Sequence, residues 1–307
     1  MVNNRREFIK NSSLLIGAIS GGGVTTLANA APGPVSTFQN KQKTVYLWSD
    51  TSVNNGKDPV KRPRLDFFIP ETKTDKKRAA IIVCPGGGYG GLAPHEGVPF
   101  AELFAAKGIV SAVLYYRVSP NRYPAPFADA VRAMRLVRSQ AESLNIDPNK
   151  IGIIGFSAGG HLSATVATQP DLYKDPEDTL ASAVSARPNR VMLGYPVISF
   201  EEYGHMGSAK NLLGDNPPPD MLRQLSNQKQ VTTENPPAFI FHTADDEVVP
   251  VQNSFFFAEA CVRNKVSTSL HVYPNGKHGV GMALTIPALS SWTEILLKWL
   301  EDWHGNV

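Results

Sequence analysis

Ile151-Gly-Ile-Ile-Gly-Phe-Ser157-Ala-Gly-Gly-His161 is the stretch whose reading decides the fold. It begins as a short apolar run suited to a strand and enters a Gly-x-Ser-x-Gly turn. Leu-Ser-Ala-Thr-Val-Ala at 162–167 can then continue as a helix. A serine at the tip of such a strand-turn-helix sits on a tightly bent backbone, with its hydroxyl projecting above the sheet. Side chains at Gly155 or Gly159 are expected to collide with the neighbouring strand and helix. The five-residue pattern alone is weak, since a Gly/Ser turn that only ends a strand carries the same letters. The strand before it and the helix after it make Ser157 the expected nucleophile.

A serine hydroxyl attacks poorly unless a base takes its proton and a third group orients that base. In a sheet of this kind the acid and then the histidine follow the serine along the chain. The strand Ala238-Phe-Ile-Phe-His-Thr243 leads into Ala244-Asp245-Asp246-Glu-Val-Val-Pro250, which places carboxylates at a strand's C-terminal end. A later strand, Leu270-His-Val-Tyr273, is followed by Pro274-Asn-Gly-Lys-His278-Gly-Val-Gly281. Among the seven histidines, His278 fits the base, whereas His271 lies inside a strand and His304 in the tail. Asp245, the first carboxylate after the strand, is the expected orienting acid; Asp246 and Glu247 read as solvent-facing or helix-capping. Cys84-Pro-Gly86-Gly87-Gly88-Tyr89 follows an early strand and can present bare amides to a developing oxyanion, with the amide of Ala158 as the other half. A phosphate-cradling loop is disfavoured, because no Lys-Ser/Thr follows these glycines.

Strands are expected at 44–48, 64–69, 79–84, 109–116, 190–194, 238–243 and 269–273. Helices are expected at 97–107, 127–144, 251–264 and 287–303, besides the one after Ser157. In the clearest helix, Phe127, Val131, Met134, Ala141 and Leu144 share a face, with Arg132, Arg135 and Glu142 off it. Turn residues fill 54–59, and 145–150 turns the chain into the nucleophile strand. This alternation predicts an α/β fold with a mostly parallel central sheet and helices on both faces. Segments 171–189 and 195–230 break the rhythm and read as loops and short helices over the site.

The composition, 42% hydrophobic and 19% charged over 307 residues, is that of a globular protein with a substantial core. Residues 1–30 read as an export signal: Arg5-Arg6 and Lys10, an apolar stretch at 14–19, and Ala28-Asn-Ala30 as a cleavage site. A linker is expected at 31–43 and the catalytic domain at 44–307. The apolar stretch is too short to span a bilayer. Loss of Arg5, Arg6 and Lys10 against Glu7 lowers the net charge from +3 to +1, and no basic patch interleaved with aromatics remains to bind nucleic acid. Periplasmic or secreted localisation follows as an expectation. Cys84 and Cys261 are expected to be buried apolar residues. Without an HExxH, a CxxC or a close His/Asp cluster, neither a metal nor another cofactor is expected.

Together, Pro-Gly-Gly-Gly-Tyr at 85–89, Gly-Phe-Ser-Ala-Gly-Gly-His-Leu at 155–162, His-Thr-Ala-Asp-Asp-Glu-Val-Val-Pro at 242–250 and Lys-His-Gly-Val-Gly at 277–281 resemble the secreted α/β-hydrolase esterases of the acetyl xylan esterase and hormone-sensitive-lipase-like group. The likeness runs from about residue 61 to the C-terminus. It implies an α/β-hydrolase fold, with Ser157 as nucleophile, Asp245 as acid, His278 as base, and the amides of Gly87, Gly88 and Ala158 as the oxyanion hole. Pro85 replaces the histidine that lipase-like relatives carry before the glycines, so the loop's supporting hydrogen bonds must differ. The substrate implied is an acetylated carbohydrate or another small ester, with Tyr89, Tyr195, Tyr203 and His205 as candidate contacts. A feruloyl or general short-chain carboxylesterase is the alternative. A prolyl-oligopeptidase-like peptidase and a non-catalytic binding protein are less favoured, the latter because all three catalytic residue types are present.

Overall fold

Residues 78–84 set the frame. In this strand Ala79, Ile81 and Val83 enter one apolar core, while Ala80, Ile82 and Cys84 enter a second on the opposite face of the sheet. A strand buried on both sides needs helices on both sides, which the alternating chain supplies. The computed structural model of the chain describes residues 42–49, 62–173, 178–180 and 183–304. The expected signal at 1–30, most of the linker at 31–43 and the turn at 54–59 lie outside the described residues. All the described residues belong to one unit, Gln39–Val307.

Eight strands form the sheet: β1 (Lys43–Tyr46), β2 (Arg64–Phe68), β3 (Arg78–Cys84), β4 (Val110–Tyr115), β5 (Ile146–Phe156), β6 (Arg190–Gly194), β7 (Ala238–Thr243) and β8 (Thr268–Tyr273). Their spatial order is β1-β2-β4-β3-β5-β6-β7-β8, antiparallel at β1-β2 and β2-β4 and parallel from β4 onward. The helices α1 (Val98–Ala106) and α7 (Ser291–His304) cover one face through Phe100, Phe104, Trp292, Leu296 and Leu300. The other face packs against α2 (Ala125–Ser139), α3 (Ala158–Thr168) and α6 (Gln252–Arg263) through Val131, Met134, Leu162, Val166, Phe257 and Cys261. From β3 the chain goes to β4 on one flank and then crosses to β5 on the other. That reversal places a topological switch point at the carboxyl ends of β3 and β5, the usual ligand position in such sheets. Both cysteines are free and fully buried in these cores. Burial pushes the Cys84 thiol up to about 12 and that of Cys261 to about 11.

The structure departs from the sequence expectation at the end of α2, at the start of β5 and at Arg135. Helix α2 ends at Ser139 rather than 144; residues 140–145 turn, and Asn145 takes a left-handed backbone (φ 52°). Residues 146–150, expected as a turn, belong to β5, where the pairing with β3 shifts register between Arg78↔Ile146 and Ala80↔Ile151. The Asp147 carboxylate accepts the Asn149 amide there, so a local turn is absorbed into the strand as an irregularity. Arg135, expected off the buried face of α2, is 1% exposed and donates to Asp178 at 2.6 Å. Asp178 comes from the polar segment 171–189 and also pairs with Arg132, so that segment is tied to the domain by charge.

The irregular segment 195–230 folds into α4 (Met206–Leu213), α5 (Pro219–Gln224) and a short 3-10 turn at 227–229. Asp129 in α2 holds the chain leaving β4. Its buried carboxylate accepts from the Arg117 amide (2.8 Å), the Arg117 guanidinium (2.7 Å) and the Trp48 indole (2.6 Å). Replacing Asp129 with Ala leaves a half-buried guanidinium without its partner, and should cost about 3–5 kcal/mol. The loss is read as a lower denaturant midpoint at unchanged m-value.

Candidate active site

Strand β5 delivers Ser157 to the top of the sheet on a strained backbone, φ 52° and ψ −120°. Such a conformation costs a non-glycine residue about 1–3 kcal/mol. Close backbone contacts on either side hold it. A Cβ on Gly155 would stand 2.0 Å from the Gly159 carbonyl oxygen, and one on Gly159 would stand 2.1 Å from that of Cys84. Both glycines of the turn are therefore required by packing, as the sequence implied. Ser157 is left almost buried, with 6% exposure.

The loops after β7 and β8 meet it there. His278 Nε2 lies 2.8 Å from Ser157 Oγ, and His278 Nδ1 lies 2.7 Å from Asp246 Oδ2. Asp246 Oδ1 accepts the amides of Val248 (3.0 Å) and Val249 (2.8 Å), and Oδ2 also faces His242 Nε2 at 3.2 Å. Burial alone would raise the Asp246 carboxyl, but hydrogen bonds from His242, His278 and Val249 outweigh it and hold the group well below the usual carboxylate range. Asp246 is thus an acceptor, His278 carries its proton on Nδ1, and Nε2 is free to accept the serine proton. The same depression contributes stability that is present above the ordinary carboxylate range and lost as pH falls below it.

This arrangement corrects the expected acid. Asp245 does not reach the imidazole; its Oδ1 accepts the amides of Gly276 (2.8 Å) and Lys277 (3.0 Å). Those two amides immediately precede His278, so Asp245 shapes the loop that carries the base. The first carboxylate after β7 points across toward the loop of the adjacent strand β8. The second turns back beneath the imidazole because its own amide bonds to Thr243 in a tight turn (3.4 Å). Both positions carry Asp and stand next to each other, so sequence order alone carried no means of ranking them.

The glycine loop lies beside Ser157 as expected. The Gly87 and Gly88 amides donate to no protein acceptor among the described residues. The amide of Ala158, in the first turn of α3, has no intrahelical acceptor. All three can serve a developing oxyanion. Pro85 leaves its carbonyl to the Tyr116 hydroxyl (2.6 Å), the Gly88 carbonyl accepts from Asn211 Nδ2 (2.9 Å), and the Tyr89 carbonyl accepts the Ser119 amide (2.8 Å). These bonds are the loop's support in the absence of a histidine at 85.

Two expected substrate contacts are corrected. Tyr89 is fully buried, its hydroxyl 2.8 Å from His161 Nδ1. His161 Nε2 donates to the Leu225 carbonyl at 2.7 Å, and burial lowers its pKa to about 4. Tyr195 is likewise fully buried, with its ring edge-on to His278 at 5.2 Å. Each ring adds its apolar area to the core, and a partner for its hydroxyl offsets the cost of burying it. Tyr203 is 46% exposed and packs on Phe256. His205 caps α4 by accepting the Ser208 amide on Nδ1, and its ring stands over Gly88. Burial, then the nearby His278, lower its pKa, so it presents a neutral ring beside the glycine loop. Among the described residues no group of three His, Cys, Asp or Glu side chains could hold a metal ion, and no helix is long and apolar enough to cross a membrane.

The family model BD-FAE matches residues 65–261, which include the glycine loop, Ser157 and Asp246. The chain belongs to the BD-FAE family. Endo-1,4-beta-xylanase B of Butyrivibrio fibrisolvens is 40% identical over 241 residues, 77% of this chain and 38% of that protein. Acetylxylan esterase of Xylanibacter ruminicola is 35% identical over 241 residues, 76% of this chain and 47% of that protein. The chain thus spans about half or less of the length of these curated relatives. Among solved structures, the acetyl ester-xyloside bifunctional hydrolase from Caldicellulosiruptor lactoaceticus is similar at 41% identity and a TM-score of 0.77. That match covers 87% of this chain and 98% of the other. The propionate-bound Est2 esterase of Thermogutta terrifontis matches at 27% identity and a TM-score of 0.70, over 85% and 93% of the two chains. The architecture of this BD-FAE member is accordingly the α/β-hydrolase fold.

The two aspartates should separate on substitution. Asp246→Asn removes the acceptor that fixes the imidazole tautomer, and kcat should fall about 10³- to 10⁴-fold. Asp245→Asn keeps an oxygen for the two loop amides and should change kcat by less than about tenfold. Steady-state rates on p-nitrophenyl acetate check both.

Proposed function

We propose that this protein is a serine esterase that removes acetyl groups, through an acyl-enzyme, from a polysaccharide such as xylan. The observation that carries the reading is the unbroken succession Asp246–His278–Ser157 beside three unclaimed amides. In the first half-reaction Ser157 Oγ bonds to the ester carbonyl carbon while its proton passes to His278 Nε2. The imidazolium formed is stabilised by Asp246. The carbonyl oxygen, now an alkoxide, is met by the amides of Gly87, Gly88 and Ala158, each donor typically worth about 3 kcal/mol of barrier. Collapse breaks the bond to the sugar oxygen, which leaves with the proton from Nε2. In the second half a water oxygen bonds to the acyl carbon while its proton passes to the same nitrogen; the carbon–Oγ bond then breaks, Oγ takes that proton back, and acetate leaves.

The acetyl and xylan assignment is supported by the names of the similar proteins, an acetylxylan esterase and an acetyl ester-xyloside hydrolase. Arg5-Arg6 and the small-x-small site at 28–30 support export, consistent with a polymeric substrate that does not enter the cell. His205, half-buried beside Gly88, is the proposed substrate contact retained from the sequence.

The mature chain should hydrolyse p-nitrophenyl acetate faster than p-nitrophenyl octanoate and release acetate from acetylated xylan. Ser157→Ala should abolish both, with thermal unfolding retained. Equal or better rates on octanoate, with no acetate from xylan, mannan or pectin, would place the enzyme among general carboxylesterases instead.

A further inference from the structure

Glu96 has no part in the succession from Asp246 to Ser157, yet it is 2% exposed and touches the backbone of one catalytic loop and, through one side chain, the other. It ends the 3-10 turn Pro94–Glu96 that follows the glycine loop. Its Oε2 accepts the Gly86 amide at 2.7 Å, and its Oε1 accepts the Tyr195 hydroxyl at 2.8 Å. The Tyr195 oxygen in turn accepts the Gly281 amide at 3.0 Å. Since Gly281 N–H donates to that oxygen, the phenolic proton must point to Glu96. A single line of hydrogen bonds therefore runs from the oxyanion loop, through Glu96 and Tyr195, to the loop that carries His278.

The surroundings leave this line little freedom. A Cβ on Gly86 would stand 2.8 Å from Glu96 Oε2 and 2.9 Å from Ser157 Cβ, so Gly86 is wedged between the carboxylate and the nucleophile. Tyr195 places its ring edge against the imidazole, at 70° between planes. His95, the neighbour of Glu96, reaches the same histidine loop at the Gly279 carbonyl (3.0 Å), and Trp292 donates to the Gly281 carbonyl (3.2 Å). Two donors converge on Glu96, one per oxygen. A carboxylate satisfies both; a carboxamide of the same shape turns an N–H toward one of them.

We propose that Glu96 is a positioning residue for catalysis: with Tyr195 it couples the oxyanion loop to the histidine loop, so that donors and base are held in register around Ser157. The proposal rests on the serine-esterase reading above and deepens it.

The test uses Glu96→Gln, Tyr195→Phe, the double variant and Ser157→Ala in the full chain, assayed on p-nitrophenyl acetate with thermal unfolding measured alongside. Displacing the loops by a fraction of an ångström should lower kcat roughly 10- to 100-fold in Glu96→Gln, with KM within about threefold. Tyr195→Phe, which retains the ring and loses only the link, should lower kcat in the same sense. The double variant should be no slower than the slower single one, because both break one line. If Glu96→Gln does not fold, Tyr195→Phe alone decides. Wild-type kcat in a folded variant, even with a lower Tm, overturns the positioning role; so do fully additive losses. Should Ser157→Ala retain turnover, the esterase reading fails instead, which separates the two outcomes.

Discussion

The close approach of α3 to the end of β3, at Gly159 against the Cys84 and Pro85 carbonyls, is the constraint on which the site depends. It is possible only with hydrogen in place of a side chain, and it forces the backbone of Ser157 into a left-handed conformation. Because the turn is pinned to β3, the loop leaving β3 must pass beside the serine. The Ser157 hydroxyl and the amides of the glycine loop are thereby neighbours by construction. The strain at Ser157 is borne by the buried sheet beneath it, where β3 and β5 are apolar over the paired stretch Ala80–Cys84 and Ile151–Gly155.

Against that fixed point, Asp246 and His278 arrive on the loops that follow β7 and β8, two and three strands along from β5. Strands β7 and β8 are adjacent and parallel, so their following loops emerge side by side. The two aspartates after β7 divide the work between them. Asp246 accepts from both His278 and His242 and sets the proton on the imidazole, whereas Asp245 holds the amides that begin the histidine loop. Thr243 adds a further tie to that loop by donating its hydroxyl to the Lys277 carbonyl at 3.0 Å. The base is thus carried on a loop with several independent anchors, which is what a surface segment needs to keep one geometry.

Much of this was legible in the amino-acid sequence, for physical reasons that differ by residue. Ser157 and its glycines were readable because a sharp strand-to-helix turn tolerates few residues. His278 was readable because its loop follows the last strand. The acid was misread because Asp245 and Asp246 share a chemistry and differ only in the direction a turn gives them. Tyr89 and Tyr195 are not readable as core residues, because a tyrosine's sequence context does not say which partner its hydroxyl meets. Glu96 gave no signal at all: a lone glutamate after a glycine loop reads as solvent-facing until Gly86 and Tyr195 are brought to it from 10 and 99 positions away. Helix α2 ended early, and the register irregularity in β5 hid a strand behind turn residues, because tertiary pairing with Arg78 overrode local propensity.

The central claim is that Ser157 is the one serine made nucleophilic, by His278 acting through Asp246. Reaction of the folded chain with a fluorophosphonate, followed by intact mass and peptide mapping, tests it most directly. One adduct per chain on the Ser157 peptide is predicted, with the rate of labelling sharply reduced in His278→Ala and in Asp246→Ala but little changed in Asp245→Asn. An adduct on another residue, or labelling of Ser157 at the same rate without His278, would contradict the account.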